Sequence, residues 1–189
     1  MEWTDGGGAE IGEQNYDGEV RERVLDCDIL LFRGRGFSSW LIRLISKSRY
    51  SHVGLVVREH DRVLCADSTS KGVRLTTLRD RVQKYDGGID HFELKPEVTA
   101  EQREAILRFI FGKMGKGYDN FSALVFALVL VFKMKKRTEK NDKWFCSELI
   151  AAAFDAANIE RTGEQRPEFI SPGELATTLP IHRPCTLKW

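Results

Sequence analysis

Three side chains in this sequence are suited to nucleophilic acyl transfer: Cys146, His52 and Asp67. Cys146 stands in WFCSE, at the start of a segment with helical periodicity. A thiol at a helix N-terminus feels the positive end of the helix dipole. That favours the thiolate, the form that attacks. His52 opens the β-branched run HVGLVV. An imidazole beside the thiol takes its proton and later returns it to the leaving group. Asp67 follows the run RVLCA. A carboxylate on the second ring nitrogen fixes the tautomer and the ring orientation. The free N–H groups at the start of the Cys146 helix suit an oxyanion. Each residue also has an ordinary use. A cysteine on an apolar helix face packs, a histidine at a strand end sits in core or surface, and an aspartate in DSTS forms turns. Spacing along the chain does not by itself bring the three together.

The elements around them must do that. Asp28–Arg33 reads as a strand, and Gly34–Phe37 as a turn. Ser38–Ile45 reads as a short helix with Ser38 or Ser39 as its N-cap. His52–Val57, Arg62–Ala66, Val73–Thr76 and Asp90–Leu94 read as further strands. DSTSKG reads as the turn between the third and fourth of the five. The short spacings favour antiparallel neighbours. If the strand from His52 pairs with the strand ending at Ala66, base and acid meet near one sheet edge. Thr99 and Gln102 have capping-box spacing before a helix carrying Ile106, Leu107, Phe109 and Ile110. Cys146–Asn158 reads as a helix closed near Asn158. The tail from Ser171 on reads as irregular. Strands followed by helices make an α+β chain.

Composition bounds the answer without supplying it. The chain has 189 residues, 42% of them hydrophobic and 30% charged, which suits one soluble domain. Lys+Arg total 29 against 28 Asp+Glu, so a wholly basic nucleic-acid binder is not expected. Residues 1–22 are acidic and Gly-rich and read as a flexible leader, with the domain spanning 23–189. The leader has no basic start and no apolar run, so no secretory signal is expected there. A cytoplasmic protein is the default expectation, with membrane-peripheral or non-classically exported protein as alternatives. The cysteines are Cys27, Cys65, Cys146 and Cys185. None lies in a CxxC pair, so neither a zinc site nor any cofactor is expected. Phe121–Phe132 is nearly all apolar but far shorter than the ~20 residues of a membrane span. Residues 133–143 carry six basic and two acidic side chains. Together, residues 121–143 are a candidate lid or peripheral membrane contact.

The run DILLFRGRGFSSWLIRLISKSRYSHVGLVV resembles the opening of the permuted papain-like enzymes related to NlpC-type peptidases. That group includes YiiX/YaeF-like bacterial proteins, poxvirus relatives and, more distantly, lecithin:retinol acyltransferase. The matching pieces are Asp28–Leu30, Ser51–Gly54, Asp67 with Gly72–Arg74, Gly115–Asp119 and Phe145–Leu149, with Ser171–Gly173 closing the pattern. They occur in the family's order, with His before Cys. The resemblance implies a circularly permuted papain-like α+β fold: an antiparallel sheet packed against helices, the nucleophile at a helix N-terminus. It implies Cys146 as nucleophile and His52 as general base. Asp67 falls where many relatives carry Glu. Tyr118 matches the family's Tyr-Asp motif and is expected to line the cleft. Trp144 and Phe145 are candidates for the acyl pocket. Glu148 is expected to cap its helix. Arg33 and Arg35 flank the expected cleft, where Arg33 is a candidate for reading a substrate carboxylate.

The leading expectation is a cysteine-dependent amidase or peptidase acting through a thioester at Cys146. The alternatives are a lipid-directed thiol acyltransferase or lipase, and a non-catalytic membrane-associated module. The expected partner is a small-molecule, peptide or lipid acyl substrate and no nucleic acid.

Overall fold

The structure, a computed structural model, describes residues 12–15, 21–69, 71–115, 144–162, 167, 170–182 and 184–188. In chain order the strands are β1 (Gly12–Asn15), β2 (Ile29–Gly34), β3 (His52–Glu59), β4 (Arg62–Thr69), β5 (Gly72–Thr77), β6 (Gly87–Phe92) and β7 (Cys185–Lys188). The helices are α1 (Arg21–Arg23), α2 (Phe37–Ser46), α3 (Leu78–Lys84), α4 (Ala100–Phe111), α5 (Cys146–Ala156) and α6 (Pro172–Thr178). The strands form one sheet in the order β1-β7-β6-β2-β3-β4-β5. Every pairing is antiparallel except the edge pair β1–β7, which is parallel.

The alternation of side chains along a strand divides the core in two. Ile29, Leu31, Val53, Leu55 and Val57 face one side, where they pack with Ile106 and Ile110 of α4 and with Leu149, Ile150 and Phe154 of α5. Leu30, Phe32, Val56, Val63 and Cys65 face the other side with Val24 and with Leu78 of α3. Burying each large α5 side chain contributes about 1.5–3 kcal/mol, which holds that helix to the sheet.

Several boundaries differ from those expected from the sequence. The N-cap of α2 is Gly36, not Ser38 or Ser39, and no side chain caps it. Helix α5 ends with Ala157 as C-cap. Asn158 follows in the left-handed region, with φ of 52°. Its N–H bonds Asp155 O at 3.0 Å, and that of Ile159 bonds Phe154 O at 3.1 Å. This double closure satisfies two of the helix's last carbonyls. The tail is not irregular. Ser171 accepts from Glu174 N, Glu174 accepts from Ser171 N, and Pro172 begins α6. Chain 185–188 returns as β7 beside β6. Within the stretch expected to be a leader, Gly12–Asn15 form β1. Tyr118, the apolar run 121–132 and the basic run 133–143 lie outside the described residues. Among the described residues, no helix is long and apolar enough to cross a membrane.

Candidate active site

The expected hairpin forms and carries His52 and Asp67 on one face. β3 and β4 pair with Gly54 opposite Asp67. His52, two residues before Gly54, is therefore a diagonal neighbour of Asp67 on the same face, within reach of a long side chain. Glycine at position 54 keeps that diagonal open. A Cβ there would lie 2.7 Å from Cys65 Sγ and 3.5 Å from Asp67 Cβ. His52 Nε2 meets Asp67 Oδ2 at 2.9 Å. Asp67 itself is fully buried and is not a turn residue. β4 runs on through Thr69, and β5 begins at Gly72. Pairing on both sides, with β3 and with β5, holds Asp67 in extended backbone.

Cys146 begins α5, as expected. The residue as a whole is half-buried, with its sulfur turned into the site. Burial pushes this thiol up, but the charge of His52, its side-chain hydrogen bond, and backbone hydrogen bonds at Val53 and Ser147 outweigh burial. The thiol sits below its ordinary value of 9.0 as a result. With Nε2 held by Asp67, Nδ1 is the ring nitrogen left for the sulfur. The helix start is tied to the sheet by the Ser68 hydroxyl, which donates to Trp144 O at 2.5 Å. Glu148 accepts from the Phe145 N–H at 3.2 Å, the capping role expected of it.

The structure adds two residues that the sequence does not announce. Arg81 of α3 forms a close ion pair with Asp67 Oδ2. Its guanidinium also lies 5.6 Å from the centre of the Phe32 ring. Phe32 packs against His52 with ring centres 5.1 Å apart, and edge-on against Tyr85 at 5.0 Å. Tyr85 bonds Ser51 and Ser39, and burial pushes its hydroxyl up; Cys146 is among the charges it feels. Both residues belong to LRDRVQKY, a stretch with little apolar periodicity.

The remaining candidates sit as follows. The Trp144 ring meets Phe109 edge-on at 5.7 Å, with the Lys113 ammonium 4.8 Å from its centre. Phe145 is the N-cap of α5. The Arg33 guanidinium reaches Asp90 Oδ1 at 2.8 Å and Thr186 Oγ1 at 3.1 Å, on a buried carboxylate that also accepts from Tyr50. Arg35 pairs loosely with Asp86 at 4.0 Å, where both are largely exposed. Among the described residues, no cluster of three or more His, Cys, Asp or Glu side chains is arranged to hold a metal.

This arrangement is a thiol on a helix N-terminus, an imidazole beside it, and a carboxylate orienting that imidazole. It is equipped for attack on an acyl carbon and return of the proton to the leaving group. Comparison with known proteins agrees in fold and family. A solved structure described as the metalloprotein yiiX from Escherichia coli O157:H7 aligns with a TM-score of 0.57 at 19% identity, over 85% of this chain and 87% of that one. A search of curated proteins found no match. Residues 28–167 match a family described as permuted papain-like amidase enzymes, YaeF/YiiX, C92. The chain therefore belongs to the permuted papain-like amidases of the YaeF/YiiX type, a family of cysteine hydrolases.

Proposed function

We propose that the protein cleaves an amide bond through a thioester at Cys146, with His52 as general base and Asp67 as its orienting acid. The observation that carries this reading is His52 engaged at once by Asp67, at 2.9 Å, and by the Cys146 thiol. Cys146 attacks the acyl carbon, and N–H groups at the start of α5 receive the developing oxyanion. His52 then gives its proton to the departing amine. Water, deprotonated by the same imidazole, releases the acid from the thioester. The ion pair from Arg81 keeps Asp67 an acceptor throughout.

Alkylation and trapping test the roles separately. With iodoacetamide near neutral pH, Cys146 is expected to react fastest of the four thiols. His52→Ala should slow it by about tenfold or more, since the imidazole's charge and hydrogen bond favour the thiolate. With a panel of peptide amides and acyl esters, intact-mass measurement should show an acyl adduct on Cys146. An adduct from esters alone would overturn the amidase reading. Labelling of Cys146 no faster than that of Cys27 would overturn its role as nucleophile.

A further inference from the structure

The sheet holds a second Cys–His–Asp constellation that the proposed chemistry does not use. His91 of β6 is buried, and its Nε2 meets Asp28 Oδ2 at 2.8 Å. Asp28, just before β2, is itself fixed: its Oδ2 accepts from Leu25 N at 2.9 Å and its Oδ1 from Leu94 N at 3.0 Å. The other ring nitrogen, Nδ1, lies 3.7 Å from Cys185 Sγ. His91 and Cys185 are directly opposite each other in the β6–β7 ladder, so they share a face. Asp28 and Cys185 are the titratable groups that act on His91.

We propose that Cys185 is a second reactive thiol of this protein, a modification site that takes low-molecular-weight disulfides. Three observations support it. Cys185 is partly exposed, whereas Cys27 and Cys65 are buried. Its register partner on β1 is a glycine, Gly12. The imidazole aimed at the sulfur is oriented from behind by a carboxylate that is anchored on two backbone N–H groups. Although burial opposes its charge, the hydrogen bond that it donates to Asp28, its contact with Cys185 and the negative charges of both hold His91 protonated up to about 9. At neutral pH, Nδ1–H therefore points a charged donor at the sulfur.

The kind of electrophile follows from what the site lacks. Cys185 opens β7, in register with His91 of β6 and with Gly12 of β1. Pro184 before it has no N–H and no helix begins there, so its own segment offers no oxyanion hole, which acyl transfer needs. Thiol–disulfide exchange needs none, because its negative charge stays on sulfur. The Cys185 sulfur attacks one sulfur of the disulfide, a new S–S bond to Cys185 forms, and the old one breaks. The departing half leaves as thiolate and ends with the proton that Cys185 gave up. Cys185 is oxidised to a mixed disulfide, and half of the reagent is reduced to a thiol.

The full chain carrying Cys146→Ala isolates this thiol. It is treated with glutathione disulfide near neutral pH, and the modified peptide is mapped by mass. Cys185 is expected to be the residue modified, about tenfold or more faster than a cysteine in an unstructured peptide under the same conditions. His91→Gln in the same background should bring the rate down to the peptide's. A Cys185 rate at or below the peptide's overturns the proposal. So does a rate that His91→Gln leaves unchanged. Should circular dichroism show that variant unfolded, the comparison with the peptide decides.

Discussion

His52 and Arg81 meet on the same carboxylate oxygen, Oδ2 of Asp67. One comes from the strand that pairs with β4 and the other from the helix after β5. The carboxylate is fully buried, so its charge is offset by these two neighbours and not by water. Arg81 thus helps to hold Asp67 in place, and through it His52.

Removal of Arg81 should therefore weaken the fold as well as the site. Breaking a buried pair by deleting one partner leaves an uncompensated charge, a loss of about 3–5 kcal/mol. Arg81→Met is expected to lower urea-unfolding stability by roughly the lower end of that range, about 3 kcal/mol. Arg81→Lys keeps the charge but not the planar fork, and should lose less. An Arg81→Met protein as stable as the parent would remove the ion pair from the account.

His91 makes stability depend on pH in a defined direction. Its folded value, about 9, lies above the ordinary 6.5. Burial opposes the charge, but the hydrogen bonds with Asp28 and Cys185 and the charges of both together outweigh it. A group raised on folding contributes its stability fully below its unfolded value and loses it as pH rises through the folded value. Denaturant titrations should show stability falling between about pH 6.5 and 9, by on the order of 3 kcal/mol. His91→Gln should flatten that slope. A wild-type curve flat over the same window would show that the imidazole is not held cationic.

Gly54 offers a test of the open diagonal between His52 and Asp67. An alanine Cβ would sit 2.7 Å from Cys65 Sγ and 3.2 Å from Ala66 O. Gly54→Ala is expected to destabilise by about 1–3 kcal/mol, the range for overpacking. Cys65→Ala removes the sulfur it strikes. The double variant should lose less than the two singles summed, by about 0.5 kcal/mol or more. Strict additivity in thermal unfolding would place the strain elsewhere.

The parts of the site legible in the sequence are those that local patterning controls. The β-branched run after His52 marks β3, and the short connection to RVLCA forces a hairpin. Base and acid then meet through register alone. The Thr99 capping box and the apolar face of the Cys146 helix are equally local signals. Helix α3 escapes notice because LRDRVQK has little apolar periodicity; only Leu78 of it is buried. Its position is set by tertiary packing, and so are those of Arg81 and Tyr85. Helix α6 did carry a signal, Ser171 and Glu174 at capping-box spacing with Pro172 between them, which the irregular look of the tail obscures. Asp28, His91 and Cys185 come from three distant segments, and only the ladder order β7-β6-β2 brings them together.

The hydrogen bond from Ser68 to the Trp144 carbonyl has a mechanical meaning. His52 and Asp67 are carried by one hairpin, whereas Cys146 is carried by α5. This bond is a tether between the two bodies, one residue from Asp67 and two from Cys146. A slip of α5 by about one ångström would spoil the line of attack while leaving the proton relay assembled. The distance from Cys146 to the hairpin is thus set by a contact that the His52–Asp67 pair does not share.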